Sequence, residues 1–187
     1  MLVDGLLLRN TPLLPVQGED NSVRGSINNR TLSSKGMVKG LKQTSSLIAI
    51  SSTVTETAAN TFTTAQVDLQ LNPLDNEVFV VQAVDIDMFA PDLVKNIQSA
   101  TSFSLSSTSR KSVAGIDQPN VIAAKRIFTQ NNDDTCAVTN EYASIDSPAT
   151  DLEYVAIIAT NDFFLNLEGT GNSNPKSANA RVYGYRA

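Results

Sequence analysis

The chain has 187 residues, a formal net charge of −5, a single cysteine (Cys136), and neither histidine nor tryptophan. That length suits one domain with an arm, able to hold its core without staples. The lone cysteine excludes an internal disulfide, and the missing histidine excludes Ser-His-Asp or Cys-His catalysis and any four-ligand zinc site within the chain.

The charge is unevenly spread. Residues 1–44 carry six basic side chains against three acids, so +3, and the remaining 143 carry eight against sixteen, so −8. No acid lies between Asn21 and Thr55, a run that holds Arg24, Arg30, Lys35, Lys39 and Lys42. A basic arm on an acidic body is a pattern of proteins that assemble or touch nucleic acid. The start, MLVDGLLLRN, has no basic leading segment, carries Asp4, and offers a leucine run of only three residues. It does not read as a signal peptide, and no apolar stretch reaches membrane-spanning length. The expectation is a protein made and kept in the cytoplasm, or packaged there. Pro12, Pro15, Gly18, Gly25, Gly36 and Gly40 interrupt every element that residues 1–44 could form. The apolar clusters Leu6, Leu7, Leu8 and Leu13, Leu14, Pro15, Val16 are too short to fold alone. They suit an extended arm threaded along or beneath a neighbouring subunit.

From Ser45 the period becomes two. LIAISSTVTET (47–57) predicts a strand, and so does AQVDLQL (65–71), with Val67, Leu69 and Leu71 on one face. NPLDN (72–76) predicts a turn. EVFVVQAVDIDMFA (77–90) predicts the strongest strand, with Val78, Val80, Gln82, Val84, Ile86 and Met88 toward the core. The opposite face then carries Phe79, Val81 and Ala83 beside Asp85 and Asp87. A sandwich's outer face should be polar, so Phe79, Val81 and Ala83 are expected to need cover from the N-terminal arm, a loop or another subunit, and as an intersubunit contact they point to assembly. DLVKNIQ (92–98) has helical spacing and a cap in Asp92. TSFSLSSTS (101–109) places Phe103 and Leu105 inward and serines outward. NVIAAKRIFTQ (120–130) predicts a strand ended by NNDD (131–134). TCAVTNEY (135–142), LEYVAIIAT (152–160), FFLNLEG (163–169) and NARVYGYRA (179–187) complete the set. Short strands with turn residues between them predict an all-β fold: a jelly-roll β-sandwich of about eight to nine strands over residues 45–187, with residues 1–44 as an extended basic arm. An immunoglobulin-like sandwich is the runner-up, though it usually needs fewer residues.

The candidate sites are sparse. Asp85 and Asp87 would stand roughly 7 Å apart by the strand rise, which suits a glycosidase carboxylate pair only loosely. They are weak calcium candidates, since calcium needs six to eight oxygens and NNDD and NDFF (161–164) would have to supply the rest. A solvated or intersubunit acidic patch is the expected role. GTGNSNPKS (169–177) lacks the spacing of a phosphate loop and predicts a surface hairpin loop. In the last strand Arg181, Tyr183 and Tyr185 share a face, a combination met in base stacking, in protein contacts and in plain sheet packing. No cofactor is expected, and no catalytic residue.

The stretch FFLNLEGTGNSNPKSANARVYGYRA (163–187) resembles the ends of small virion structural proteins of marine phages and viruses. There a strand of the FFL type, a Gly/Asn loop and a terminal GYRA-like strand recur. The resemblance implies a single-jelly-roll coat subunit, found in the virion, that forms shells from copies of itself and touches other virion proteins. It implies assembly in place of enzymatic activity. Some such proteins point a basic arm inward. This arm is far less basic than arginine-rich coat tails, so weak or no contact with the genome is expected, and no membrane contact. The alternatives are a decoration or cement protein and a carbohydrate- or receptor-binding β-sandwich. The missing tryptophan weighs against the last.

Overall fold

The computed structural model describes residues 40–133, 136–144 and 153–187. They form nine strands: β1 Ile48–Thr55, β2 Thr63–Asp68, β3 Phe79–Met88, β4 Gln98–Ser106, β5 Val121–Asp133, β6 Cys136–Ala143, β7 Ala156–Ile158, β8 Asp162–Thr170 and β9 Ser177–Arg186. Period-two patterning builds them. In β1, Ile48, Ile50 and Val54 turn inward while Ala49, Ser51 and Thr53 stay exposed. Between β2 and β3, Pro73–Asp75 makes one 3-10 turn, capped by the Asn72 side chain accepting from the Leu74 amide at 3.1 Å. The described residues contain no helix long and apolar enough to cross a membrane.

The strands make a β-sandwich of two antiparallel sheets, one ordered β1-β9-β3-β7 and the other β2-β8-β4-β5-β6. The order has a simple origin. Strand β1 pairs with β9, β2 with β8, β3 with β7 and β4 with β5. The chain is thus one long hairpin whose successive rungs alternate between the two sheets. β6 is added at the edge by pairing with β5. The core lies between the sheets. Val84, Ile86, Ala180 and Val182 contribute from one side, and Phe103, Leu105, Phe163, Leu165 and Leu167 from the other.

One irregularity rearranges β3. Val81 lies opposite Gly184 but Ala83 lies opposite Tyr183, so Gln82 is an extra residue, a β-bulge. A one-residue slip moves every later side chain to the other face. The unbroken alternation expected over 77–90 is therefore replaced by two half-patterns. Phe79, 1% exposed, and Val81, 0% exposed, lie in the core with Val84, Ile86 and Met88. They do not form an outward apolar face. Ala83, Asp85 and Asp87 do lie outward, beyond the bulge.

Four other expectations are corrected. Residues 92–98 form no helix: Lys95 and Asn96 make a turn, with Asn96 at φ +57°. Asp92 spends its carboxylate on residues 173–176, leaving no helix cap. Asn131, Asn132 and Asp133 extend β5 alongside β6 and do not end it. Ser104 and Ser106 face away from the core as expected, yet both are fully buried. Residues 171–176 are not a hairpin, because β8 and β9 belong to different sheets. They cross between the sheets, and Asn172 and Lys176 are buried there. The last strand alternates as predicted, with Val182 and Gly184 inward and Arg181 and Tyr183 outward.

The junction with the N-terminal segment is pinned. The amides of Thr44 and Ser45 donate to the Arg186 carbonyl at 2.8 and 3.4 Å. The Thr44 hydroxyl donates to Glu77 Oε1 at 2.8 Å. The Asn72 amide and that hydroxyl hold the Glu77 carboxyl below its ordinary pKa.

Candidate functional site

Three places concentrate polar chemistry. The first is the outer face of the sheet that holds β3. Ladder pairing sets Ser51, Arg181 and Asp85 in one row across β1, β9 and β3, and Thr53, Asn179 and Asp87 in the next. Arg181 Nε donates to Ser51 Oγ at 3.0 Å. Asn179 accepts from Thr53 Oγ1 at 2.8 Å and donates to Asp87 Oδ2 at 3.4 Å. The rows line a shallow depression of about 570 Å³. Both aspartates are exposed, each opposite a cation or an amide. That arrangement is a solvated charge ladder, worth little energetically. Among the described residues no group of three or more His, Cys, Asp and Glu side chains gathers to hold a metal. Asn161 and Asp162, the further oxygens considered for calcium, are bonded to Asp68 and Gln66 in the other sheet.

The second is a network where three connections meet: 56–62, 89–97 and 171–176. Glu56, 3% exposed, accepts the amides of Gly169 at 2.6 Å, Lys176 at 2.8 Å and Thr61 at 3.2 Å. Asn60 and Asn172 exchange side-chain and backbone bonds at 2.8 and 2.7 Å. Asn172 also donates to the Ala100 carbonyl and accepts the Asp92 amide. Asp92 accepts the amides of Ser173 and Asn174, both at 2.9 Å, and pairs with Lys176 Nζ at 2.5 Å. Gly171 sits at φ +66°, and a Cβ there would lie 2.7 Å from the Gln98 carbonyl, so only glycine fits this crossing. With every member partnered, the network is a structural clamp.

The Asp92 carboxyl is held below its ordinary pKa, chiefly by the hydrogen bond from the Lys176 ammonium; burial opposes this, and the amides of Asn174 and Ser173 add to the lowering. The sign follows from linkage. A carboxyl with a depressed folded-state pKa contributes stability above the unfolded value, near pH 4, and loses it as pH falls through the folded one. Asp92→Asn should therefore cost about 1–2 kcal/mol at neutral pH and flatten the acid limb of the stability curve. Urea midpoints measured from pH 3 to 7 check this, and an unchanged acid limb would count against the clamp.

The third place is a groove of about 560 Å³ on the outer face of the five-stranded sheet. One row of the ladder crosses its floor: Glu168 on β8, Ser102 on β4, Arg126 on β5 and Tyr142 on β6. Residues 113–116, from the long connection between β4 and β5, form a wall. That connection is pinned at its base. The Ser107 amide donates to the Asn120 carbonyl at 2.9 Å, and Arg110 Nη1 donates to Asn120 Oδ1 at 2.7 Å. Tyr142 stacks on Phe128 with ring centroids 5.6 Å apart and planes 13° from parallel.

Of the residues singled out from sequence, Leu6, Leu7, Leu8, Leu13, Leu14, Arg24, Arg30, Lys35 and Lys39 lie outside the described residues. Lys42 is described and exposed. The structure brings Asp85 and Asp87 together with Arg181 and Asn179, and it separates them from Phe79 and Val81. Sequence reasoning missed the clamp, whose members lie up to 120 positions apart. It also missed the groove, for which the one available signal was Tyr142 on the same strand face as Asn140 and Val138.

No protein family matches the chain, and no curated protein does. Among solved structures, it is similar to the tailspike protein gp49 from Acinetobacter baumannii bacteriophage Fri1, a capsular polysaccharide depolymerase, at 14% identity over 64% of this chain. The match spans 19% of that protein's length with a TM-score of 0.16, a likeness too slight to carry fold or function to this chain.

Proposed function

We propose that the chain is a virion structural protein, a coat subunit that builds a shell from copies of itself. The observation that carries this reading is the winding of the sandwich. Pairs β1·β9, β2·β8, β3·β7 and β4·β5 alternating between two sheets follow the plan of a jelly roll, an architecture used by viral capsid and lectin domains. The charge distribution supports assembly. The sequence joins a run of +5 without acids over residues 21–55 to a net −8 over residues 45–187, and such complementarity between copies steers like subunits together in a fixed register. The role is assembly, and the mechanism is subunit packing with the N-terminal segment engaging neighbours.

Removing residues 1–39 tests it. The truncated chain keeps Thr44, Ser45 and all nine strands, so its thermal unfolding should match that of the full chain. Electron microscopy and sedimentation should show closed or high-mass assemblies from the full chain and only small species from the truncated one. A full chain that stays monomeric under assembly conditions would remove the coat reading. Normal particles from the truncated chain would remove the arm from it.

A further inference from the structure

We propose that the groove over β4, β5, β6 and β8 is a saccharide-binding site. Its floor is the row Glu168, Ser102, Arg126 and Tyr142, one residue from each of four adjacent strands. At the spacing of paired strands the row runs for roughly 14 Å, the length of a short oligosaccharide lying flat. The cavity of about 560 Å³ falls within the range of small-ligand sites.

The chemistry selects a sugar. A pyranose presents a face of C–H bonds and a rim of hydroxyls that both donate and accept. Tyr142 offers the matching surface: one ring face rests on Phe128, and the side chain remains 64% exposed, so the other face is open. Stacking on Phe128 fixes the ring's orientation, which lowers the ordering cost of binding. Further along the floor stand a donor fork at Arg126, a hydroxyl at Ser102 and an acceptor at Glu168, the set needed to bond a row of sugar hydroxyls. Lys125, the neighbouring cation, is already committed to Glu141 at 2.7 Å and to the Ile86 carbonyl at 3.2 Å. The floor itself is therefore balanced, with one cation and one anion. That suits an uncharged or weakly charged polyol and disfavours nucleic acid, whose phosphates need a basic surface.

The wall points the same way. The connection between β4 and β5 spans residues 107–120 without regular secondary structure, and loops of that length in compact domains usually serve a function. It is held by its own bonds, and Ile116 at 63% exposure stands at the rim. A pinned wall beside a held aromatic ring makes a preformed open groove.

The test uses the full-length chain on an array of neutral hexose, hexosamine, uronic acid and sialic acid glycans. A retained glycan is then titrated in solution against the wild type, Tyr142→Ala, Glu168→Gln and Tyr154→Ala. Tyr142→Ala should weaken binding about tenfold, the size expected for a lost aromatic face. Glu168→Gln should weaken it several-fold, and Tyr154→Ala, an exposed tyrosine away from the groove, should leave it unchanged. No retained glycan, or equal loss from Tyr142→Ala and Tyr154→Ala, overturns the proposal. So does a Tyr142→Ala chain that sediments differently while the wild type retains no glycan, which would make this face a contact between copies. Particle formation is read separately, so the failure of either proposal leaves the other standing.

Discussion

Phe79→Ala is expected to destabilise the folded chain by about 3–5 kcal/mol, a large fraction of the roughly 5–15 kcal/mol that domains possess. The ring is 1% exposed and lies in the core between the sheets. It also fills the space left by the absent side chain of Gly184: a Cβ there would sit 2.7 Å from two Phe79 ring carbons. Deleting the ring therefore opens a cavity against backbone that has little freedom to collapse into it. Urea unfolding should show a large drop in midpoint with the slope preserved. Ala83→Ser, two residues past the inward-facing Val81 and on the outer face, should change stability by no more than about 0.5 kcal/mol. Weakened self-association in Phe79→Ala with unfolding unchanged would place the ring at a subunit contact and sink the bulge assignment.

Glu56→Ala carries the second large effect, on the order of 3–5 kcal/mol. The carboxylate is the acceptor for the amides of Thr61, Gly169 and Lys176, and orphaning a buried donor costs about 1–3 kcal/mol. Solvent cannot readily replace the acceptor, because Glu56 and Lys176 are both buried. Glu56→Gln, which keeps one oxygen acceptor, should lose less than Ala. Native-state hydrogen exchange supplies a local readout: the Gly169 and Lys176 amides should exchange much faster in Glu56→Ala. A loss under about 1 kcal/mol, or unchanged protection at both amides, would mean that the three connections hold together without it.

The strands were legible in the sequence and their faces only partly so. Alternation in β1, β4, β8 and β9 is written in residue types, because apolar and polar side chains segregate at period two. Around Gln82 the same rule misleads. Phe79, Val81, Val84, Ile86 and Met88 are all apolar and all inward, but the bulge that reconciles 81 with 84 is set by pairing with β9 one hundred residues downstream. Ser104 and Ser106 read as wet because serine usually is. Asn166, donating to the Ser104 carbonyl and the Ser106 hydroxyl, satisfies part of their polar complement within a covered face. Asp92 read as a helix cap because its local neighbours have helical spacing. Its partners lie eighty positions further on, and local propensity yields to such contacts. The groove was illegible for the same reason: Glu168, Ser102, Arg126 and Tyr142 share no window of sequence and meet only through three strand registers.

The place of β9 in its sheet bears on how the chain is made. Of the nine strands β9 is synthesised last, yet it lies between β1 and β3, so β1 has no partner, and β3 only its short ladder to β7, until β9 emerges. Closing a loop from residue 48 to residue 184 is slow as well as late. A chain that still lacks β9 holds an unpaired β1 and cannot form the four-stranded layer at all. Any surface built on that layer then exists only once β9 has docked between β1 and β3, and a chain broken before β9 displays none of it.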